Sequence, residues 1–264
     1  MTSDNTQAAN GDLPAQEEKS EFFKTAIIAV LLALAIRTFL FEPFSIPSGS
    51  MKPTLQIGDY LFVNKYVYGY SKHSFPFSLA PFEGREFGKM PERGDIVVFK
   101  LPTNTGIDYI KRIVGLPGDR IQMRNGRLHI NGAIVEREPV GLRSVAEGRG
   151  KPIQMMEYLE TLPGGTIHQI LETTDRGDLD NTDEYVVPAG HVFTMGDNRD
   201  NSQDSRVASL VGYVPIENIV GRAEFLFFSI DTGKASWIKP WTWPGAIRWE
   251  RLFDGLAPVR PAAE

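Results

Sequence analysis

The stretch Arg120-Ile121-Gln122-Met123-Arg124-Asn125-Gly126-Arg127-Leu128-His129-Ile130-Asn131-Gly132-Ala133-Ile134-Val135-Glu136 decides the fold class of this 264-residue chain. Three short alternating runs, 120–124, 127–130 and 133–136, are separated by two Asn-Gly pairs. Alternation with period two puts the apolar residues of a strand on one face. Asn-Gly supplies the two positive-φ residues of a type I′ hairpin turn. The run is a β-meander and predicts a mainly β protein.

Upstream, Tyr60–Gly69 is aromatic and β-branched and reads as a strand. Residues 71–92 carry Pro76, Pro81, Gly84, Gly88 and Pro91 and read as a loop. Ile96–Lys100 follows Arg93-Gly94-Asp95 as a short strand stopped by Pro102. Asp108–Val114 is a further strand, stopped by Gly115-Leu116-Pro117-Gly118-Asp119. Its alternation groups Tyr109, Lys111 and Ile113 on one face. Burial there would make Lys111 lose its proton more easily. The opposite choice, Arg112 inward and Lys111 an ordinary surface lysine, stays open. Downstream the signal weakens: Gly148–Pro152 reads as a loop, Gln154–Thr161 and Thr166–Thr173 as strands, and Asp175–Glu184 as an acidic loop. Val192–Met195 is a short strand that enters Gly196-Asp197-Asn198-Arg199-Asp200-Asn201-Ser202-Gln203-Asp204-Ser205-Arg206, a loop polar throughout except for its glycine. Asp, Asn and Ser bond their own backbone in turns, so this loop is expected to be ordered. It reads either as a solvated loop or as a scaffold of Asp/Arg bonds that holds Ser202 or Ser205 at a site.

The N-terminal part is different in kind. Residues 1–20 are polar and small and are expected to be disordered. Phe22–Phe41 is apolar over about the length that spans a bilayer. Ala33-Leu34-Ala35 also fits a cleaved secretory signal. The apolar run continues past that site, however, and the preceding tail is long and acidic, so an uncleaved anchor over residues 21–42 is expected. Flanking charges do not orient it, since Lys19 and Lys24 face Arg37 and Lys52. No second long apolar run follows, and the remaining chain is expected on one side of the membrane.

Just after the anchor comes Pro43-Phe44-Ser45-Ile46-Pro47-Ser48-Gly49-Ser50-Met51-Lys52-Pro53-Thr54-Leu55. Prolines favour an extended course. That course would turn Ser48 and Ser50 the same way, with Gly49 leaving room for a second backbone. This is the geometry of a nucleophile beside a peptide, although a proline-rich linker with incidental serines reads equally well. A hydroxyl nucleophile needs a base, and Lys111 and Lys52 both qualify by type.

Composition narrows the function classes. With 42% hydrophobic residues the chain buries a sizeable core. A net charge of −5 gives no basic footprint for nucleic acid. The absence of Cys excludes disulfides and thiolate chemistry. Four scattered His and no H-E-x-x-H leave no zinc signature, and Arg199 breaks the calcium-loop register, so neither metal nor cofactor is expected. All four Trp (Trp237, Trp241, Trp243, Trp249) fall in one segment with Lys239, Arg248 and Arg251, suited to a membrane interface or to packing on the sheet.

Taken together, four segments resemble the bacterial type I signal peptidase family, and they occur in family order after an anchor. They are 47–55 (a serine box), Arg93-Gly94-Asp95-Ile96-Val97-Val98-Phe99, 108–119 (a lysine box) and 196–206. The resemblance implies a signal-peptidase-like β-sheet core, placed over 43–135 and 186–236; residues 136–185 read as a β-rich insertion or second lobe, and 237–264 as the Trp-rich segment and tail. It implies a serine endopeptidase of the inner membrane, with its catalytic part on the periplasmic face. Its partners would be the signal peptides of exported preproteins, cut after small residues, and the lipid bilayer. By match to the boxes, Ser50 is the nucleophile and Lys111 the general base. Ser48 and the Ser50 N–H form the oxyanion hole, and Ser202 bonds the lysine. Asp204 and Arg206 support the site, while Phe44, Ile46, Leu55, Tyr109 and Ile110 line the substrate pockets. Lys52 stands where many members have an apolar residue, and no second N-terminal span is present. A self-cleaving repressor-like protease would need a helix-turn-helix and a basic face. A penicillin-binding type acylase would need Ser-x-x-Lys. No helix-turn-helix or basic face is present, and Ser48, Ser50 and Lys52 do not fit the Ser-x-x-Lys spacing at the start of a helix, which leaves a non-catalytic β-module binding through its Trp segment as the alternative.

Overall fold

The computed structural model describes residues 13–75, 78, 84–146, 151–235, 238 and 240–258, with side chains from residue 19 onward. The expectations for Pro76, Pro81, 148–150, Trp237 and Lys239 lie outside the described residues. Helix α1 (Leu13–Phe39) precedes the strands. In chain order these are β1 (Phe41–Ser45), β2 (Asp59–Asn64), β3 (Tyr70–Ser71), β4 (Arg85–Glu86), β5 (Ile96–Leu101), β6 (Asn104–Gly115), β7 (Arg120–Arg124), β8 (Arg127–Ile130), β9 (Ala133–Ile134), β10 (Glu136–Val145), β11 (Ile153–Thr161), β12 (Ile167–Glu172), β13 (Tyr185–Val186), β14 (His191–Met195), β15 (Val214–Pro215) and β16 (Ile219–Ser229).

The mainly β expectation holds. A seven-stranded antiparallel sheet runs β1-β2-β16-β5-β6-β14-β15. A second sheet runs β13-β7-β8-β9, and a third, β10-β11-β12. The meander forms as expected: Asn125, Gly126, Asn131 and Gly132 all have positive φ, and β7 pairs β8, then β8 pairs β9. Strand β5 is buried on both sides. Ile96 and Val98 join one cluster with Met51, Leu55 and Ile110, while Val97, Phe99 and Leu101 join another with Ile113 and Ile219. Burying each of these side chains contributes roughly 2 kcal/mol, which makes β5 and β6 a stiff floor.

Several expectations are corrected. The helix begins at Leu13, not after residue 20, because 15–19 (Ala-Gln-Glu-Glu-Lys) are good helix formers that extend an existing nucleus. It ends at Phe39, and Phe41 is already in β1. The strand expected over 60–69 stops at Asn64, whose side-chain oxygen accepts the Val67 N–H and starts a one-turn 3-10 helix. Strand β10, which pairs β11 along its length, falls where the sequence signal was weak. The serine segment runs straight only to Pro47. Beyond it the chain turns, with Lys52 N–H bonded to the Gly49 carbonyl and Leu55 N–H to that of Met51, because Met51 and Leu55 are drawn into the core.

Within α1, Lys19–Phe39 has a mean hydropathy of 1.9 and only 6% of its apolar window is covered by protein. It is the single helix among the described residues long and apolar enough to cross a membrane. Its exposed Phe22, Leu31 and Leu32 would form an apolar surface far larger than soluble monomers expose.

Candidate active site

Lys111 sits where the large sheet opens. β14 pairs with β6 only as far as Arg112, opposite Met195, and then leaves as the loop 196–206. The next β6 residue, Lys111, is therefore flanked by loop rather than strand. It is buried, and its Nζ lies 2.8 Å from Ser50 Oγ and 2.9 Å from the Ile110 carbonyl oxygen, which it bonds as a donor. The Tyr109 ring centroid is 5.2 Å away. Burial pushes the Lys111 amine down to about 8, against the pull of the buried Asp204 and Asp197 carboxylates, which favour its charged form.

Ser50 is buried at the foot of the turn 48–55, and Ser48 Oγ lies 3.4 Å from its Oγ. Loop 196–206 clamps that turn from the other side. Asn198 donates its N–H to the Ser50 carbonyl and its side-chain N–H to that of Gly49, at 3.0 and 3.1 Å. Thr54 donates to Asp197 at 2.6 Å. A Cβ on Gly196 would stand 2.2 Å from Ser202 Oγ and 2.5 Å from the Ser50 carbonyl oxygen, so only glycine lets these segments meet.

The loop is held by buried charges. Asp204 accepts the Gly196 N–H and two bonds from the Arg206 guanidinium, and Arg206 donates onward to the Arg199 carbonyl. Burial alone would raise the Asp204 carboxyl, but Arg206 keeps it below the usual carboxylate range. Asp197 takes a two-pronged bond from Arg112, which outweighs the same burial effect. A buried row continues from there: His168 stands 3.4 Å from Asp197 and 3.2 Å from Glu160, and Glu160 is bonded by both Arg199 amino groups. Glu160 and His168 are direct cross-strand partners on β11 and β12.

Above Ser50 and Lys111 lies a cleft of about 760 Å³. Ser48, Ser50, Tyr109, Ile110, Lys111 and Ser202 line it, together with Ile107, Asp108, Thr174, Gly177, Asp178 and Leu179. Ser202 Oγ is buried and makes no hydrogen bond to Lys111; it lies near enough to Asp204 to help hold that carboxylate charged. Ile46 and Leu55 are buried in the core beside Ile110, with Phe44 packed against them and outside the cleft lining. Lys52, the rival amine, instead donates to the Ala146 carbonyl at 2.6 Å. Among the described residues no cluster of His, Cys, Asp and Glu is suited to a metal.

Sequence reasoning passed over the wall at 174–179 and the row through His168 and Glu160. Asp200 pins that wall by accepting the N–H groups of Thr173 and Thr174. The polar loop hinted at Asp200, but nothing local announced its partner, 27 residues away.

An amine buried against a hydroxyl, at the floor of an open cleft in a β scaffold, can activate that hydroxyl as a nucleophile without histidine. The family model described as "Signal peptidase, peptidase S26" matches residues 19–228. Curated relatives named signal peptidase I are similar over nearly the full length. That of Rickettsia massiliae is 39% identical, covering 97% of this chain and 98% of its own. That of Rickettsia canadensis is 40% identical, with 95% and 97% covered. A solved signal peptidase I from Enterococcus faecalis V583 overlaps 51% of this chain and 97% of its own at 25% identity and a TM-score of 0.29, a likeness too slight to bear on the fold. The chain belongs to the signal peptidase family, peptidase S26, and is a serine endopeptidase.

Proposed function

We propose that the protein removes signal peptides from exported preproteins at the membrane surface. Ser50 is the nucleophile and Lys111 its general base. The observation that carries this reading is the 2.8 Å contact between Lys111 Nζ and Ser50 Oγ at a buried site. The neutral amine takes the Ser50 proton as the oxygen attacks the scissile carbonyl. The resulting ammonium then protonates the leaving amine, and water activated by the same lysine hydrolyses the acyl-enzyme. The Ser48 hydroxyl and the Ser50 N–H receive the oxyanion. Asp204 and Arg206 hold the loop that carries Ser202 against this pair. Tyr109 and Ile110 line the cleft, with Phe44, Ile46 and Leu55 clustered beside Ile110, a lining suited to Ala-x-Ala. Residues 136–185 act as a second lobe that supplies the far wall. Lys19–Phe39, about 30 Å long as a helix, matches the apolar thickness of a bilayer. It holds the catalytic part on the outer face of the cytoplasmic membrane, where Trp241 and Trp249 meet lipid.

A synthetic peptide with Ala-x-Ala before the cut tests the reading. Cleavage after the second alanine, lost in Ser50→Ala and Lys111→Ala, is expected. Cleavage that survives Ser50→Ala overturns it.

A further inference from the structure

Lys65 is a buried amine that the proposed chemistry does not use. It lies at the corner where α1 meets the large sheet. Its Nζ donates to Glu42 at 2.9 Å and to the carbonyl of Arg37, in the last turn of α1, at 3.3 Å. Its backbone N–H donates to the Leu40 carbonyl, and Glu42 also accepts from the Arg37 guanidinium. A second fastening lies beside it: Tyr70 donates its hydroxyl to the Phe39 carbonyl at 2.8 Å, and Phe39 packs edge-on against the Tyr70 and Phe75 rings. The last carbonyls of a helix ordinarily face solvent or a cap. Here the sheet itself caps them. On the far side of the corner, β1 is paired to β2 over its whole length, and Ile46 N–H still bonds the Asp59 carbonyl. No free tether separates the helix from the turn that bears Ser50.

We propose that Lys65 and Tyr70 lock α1 to the sheet, so that helix and sheet move as one lever and Ser50 stands at a set height above the lipid. Lys65 is thus a positioning residue that selects which bond of a membrane-held substrate is cut. The five residues of β1 reach about 17 Å from the helix end. A swing of roughly 30° at a loosened corner would carry Ser50 about 9 Å, close to three residues of extended substrate. This inference rests on the reading of α1 as the anchor of a signal peptidase.

The test uses the full-length protein in vesicles and two substrates. One is a membrane-inserted preprotein with two Ala-x-Ala sites four residues apart; the other is a soluble Ala-x-Ala peptide. Lys65→Met is paired with Glu42→Gln so that no buried charge is orphaned, and Tyr70→Phe is made separately. Wild type should favour one preprotein site by about tenfold or more, and both variants should lower that ratio to about threefold, because misplacement of an ångström or more changes rates on this scale. Peptide cleavage should stay within about twofold, since a diffusing peptide carries no height information. An unchanged site ratio in both variants overturns the proposal, as does a parallel fall on both substrates, which marks loss of fold rather than of height. If wild type cuts neither substrate, the signal-peptidase reading itself falls.

Discussion

Asp204→Asn should move the acid limb of the pH–rate profile to lower pH. The reasoning starts from Lys111, whose amine burial brings from 10.5 to about 8. That displacement is worth about 3 kcal/mol against the charged form. At pH 7 about a tenth of the enzyme then holds the neutral base, and kcat/KM should rise about tenfold per pH unit below 8 before levelling. Of the groups that resist this shift, Asp204 is the strongest, since its carboxylate favours the ammonium. Asparagine keeps one side-chain oxygen for the Gly196 N–H and removes the charge, and it turns the other oxygen, which accepts from Arg206 Nε, into a donor. The Arg206 cation, left without its carboxylate, pushes in the same direction. The limb should therefore fall by about one unit, and the neutral fraction at pH 7 should rise about fivefold. The assay is kcat/KM on a soluble peptide from pH 5 to 10 for both proteins. The position of the limb is read, because the plateau also reflects the weaker base. A wild-type limb at 10 or above, or a limb that moves upward in Asp204→Asn, refutes the account of Lys111.

The same burial sets a stability signature. Between about pH 8 and 10.5 the unfolded chain binds the Lys111 proton that the folded chain has released, so wild-type stability rises with pH through that window. Lys111→Met should be more stable than wild type at pH 7 by about 1–2 kcal/mol, after the loss of two hydrogen bonds, with the gap closing toward pH 10; a pH-independent gap in denaturant melts contradicts this. Lys111→Ala should abolish peptide cleavage while Lys52→Ala, whose amine is engaged by the Ala146 carbonyl, keeps most of it; the reverse result reassigns the base. Ser48→Ala should lower kcat by about 100-fold with KM nearly unchanged, because its hydroxyl is needed only once the oxyanion forms, and a change confined to KM would place Ser48 in ground-state binding instead. Trp241 and Trp249 are 73% and 62% exposed. A fragment lacking the anchor should show blue-shifted Trp emission on adding anionic vesicles, and no shift removes the segment from the membrane interface.

The fold class was legible at 120–136 because both hairpins are local: Asn-Gly and the alternation around it specify turn and register within a few residues. The apolar helix was legible for the same reason. The end of β2 at Asn64 was not, since a side-chain bond to Val67 outweighs the β propensity of the residues that follow. Strand β10 was also hidden, because most of its residues are exposed and it is held mainly by pairing with β11.

By itself the sequence determined that an apolar span leads into an antiparallel β protein, with one serine turn, one lysine strand and one polar loop as the places where chemistry would be found. It left open which lysine mattered, because alternation along a single strand cannot say which face is dry. Only the tertiary structure brings one lysine to the serine: β14 departs beside Lys111, the loop at 196 closes over it, and the Asn198 clamp carries Ser50 to within 2.8 Å of the amine. The wall at 174–179, the buried row through His168 and Glu160, and the lock at Lys65 likewise join residues far apart in the chain. Their energies depend on the exclusion of water by the whole fold, and no local pattern encodes that.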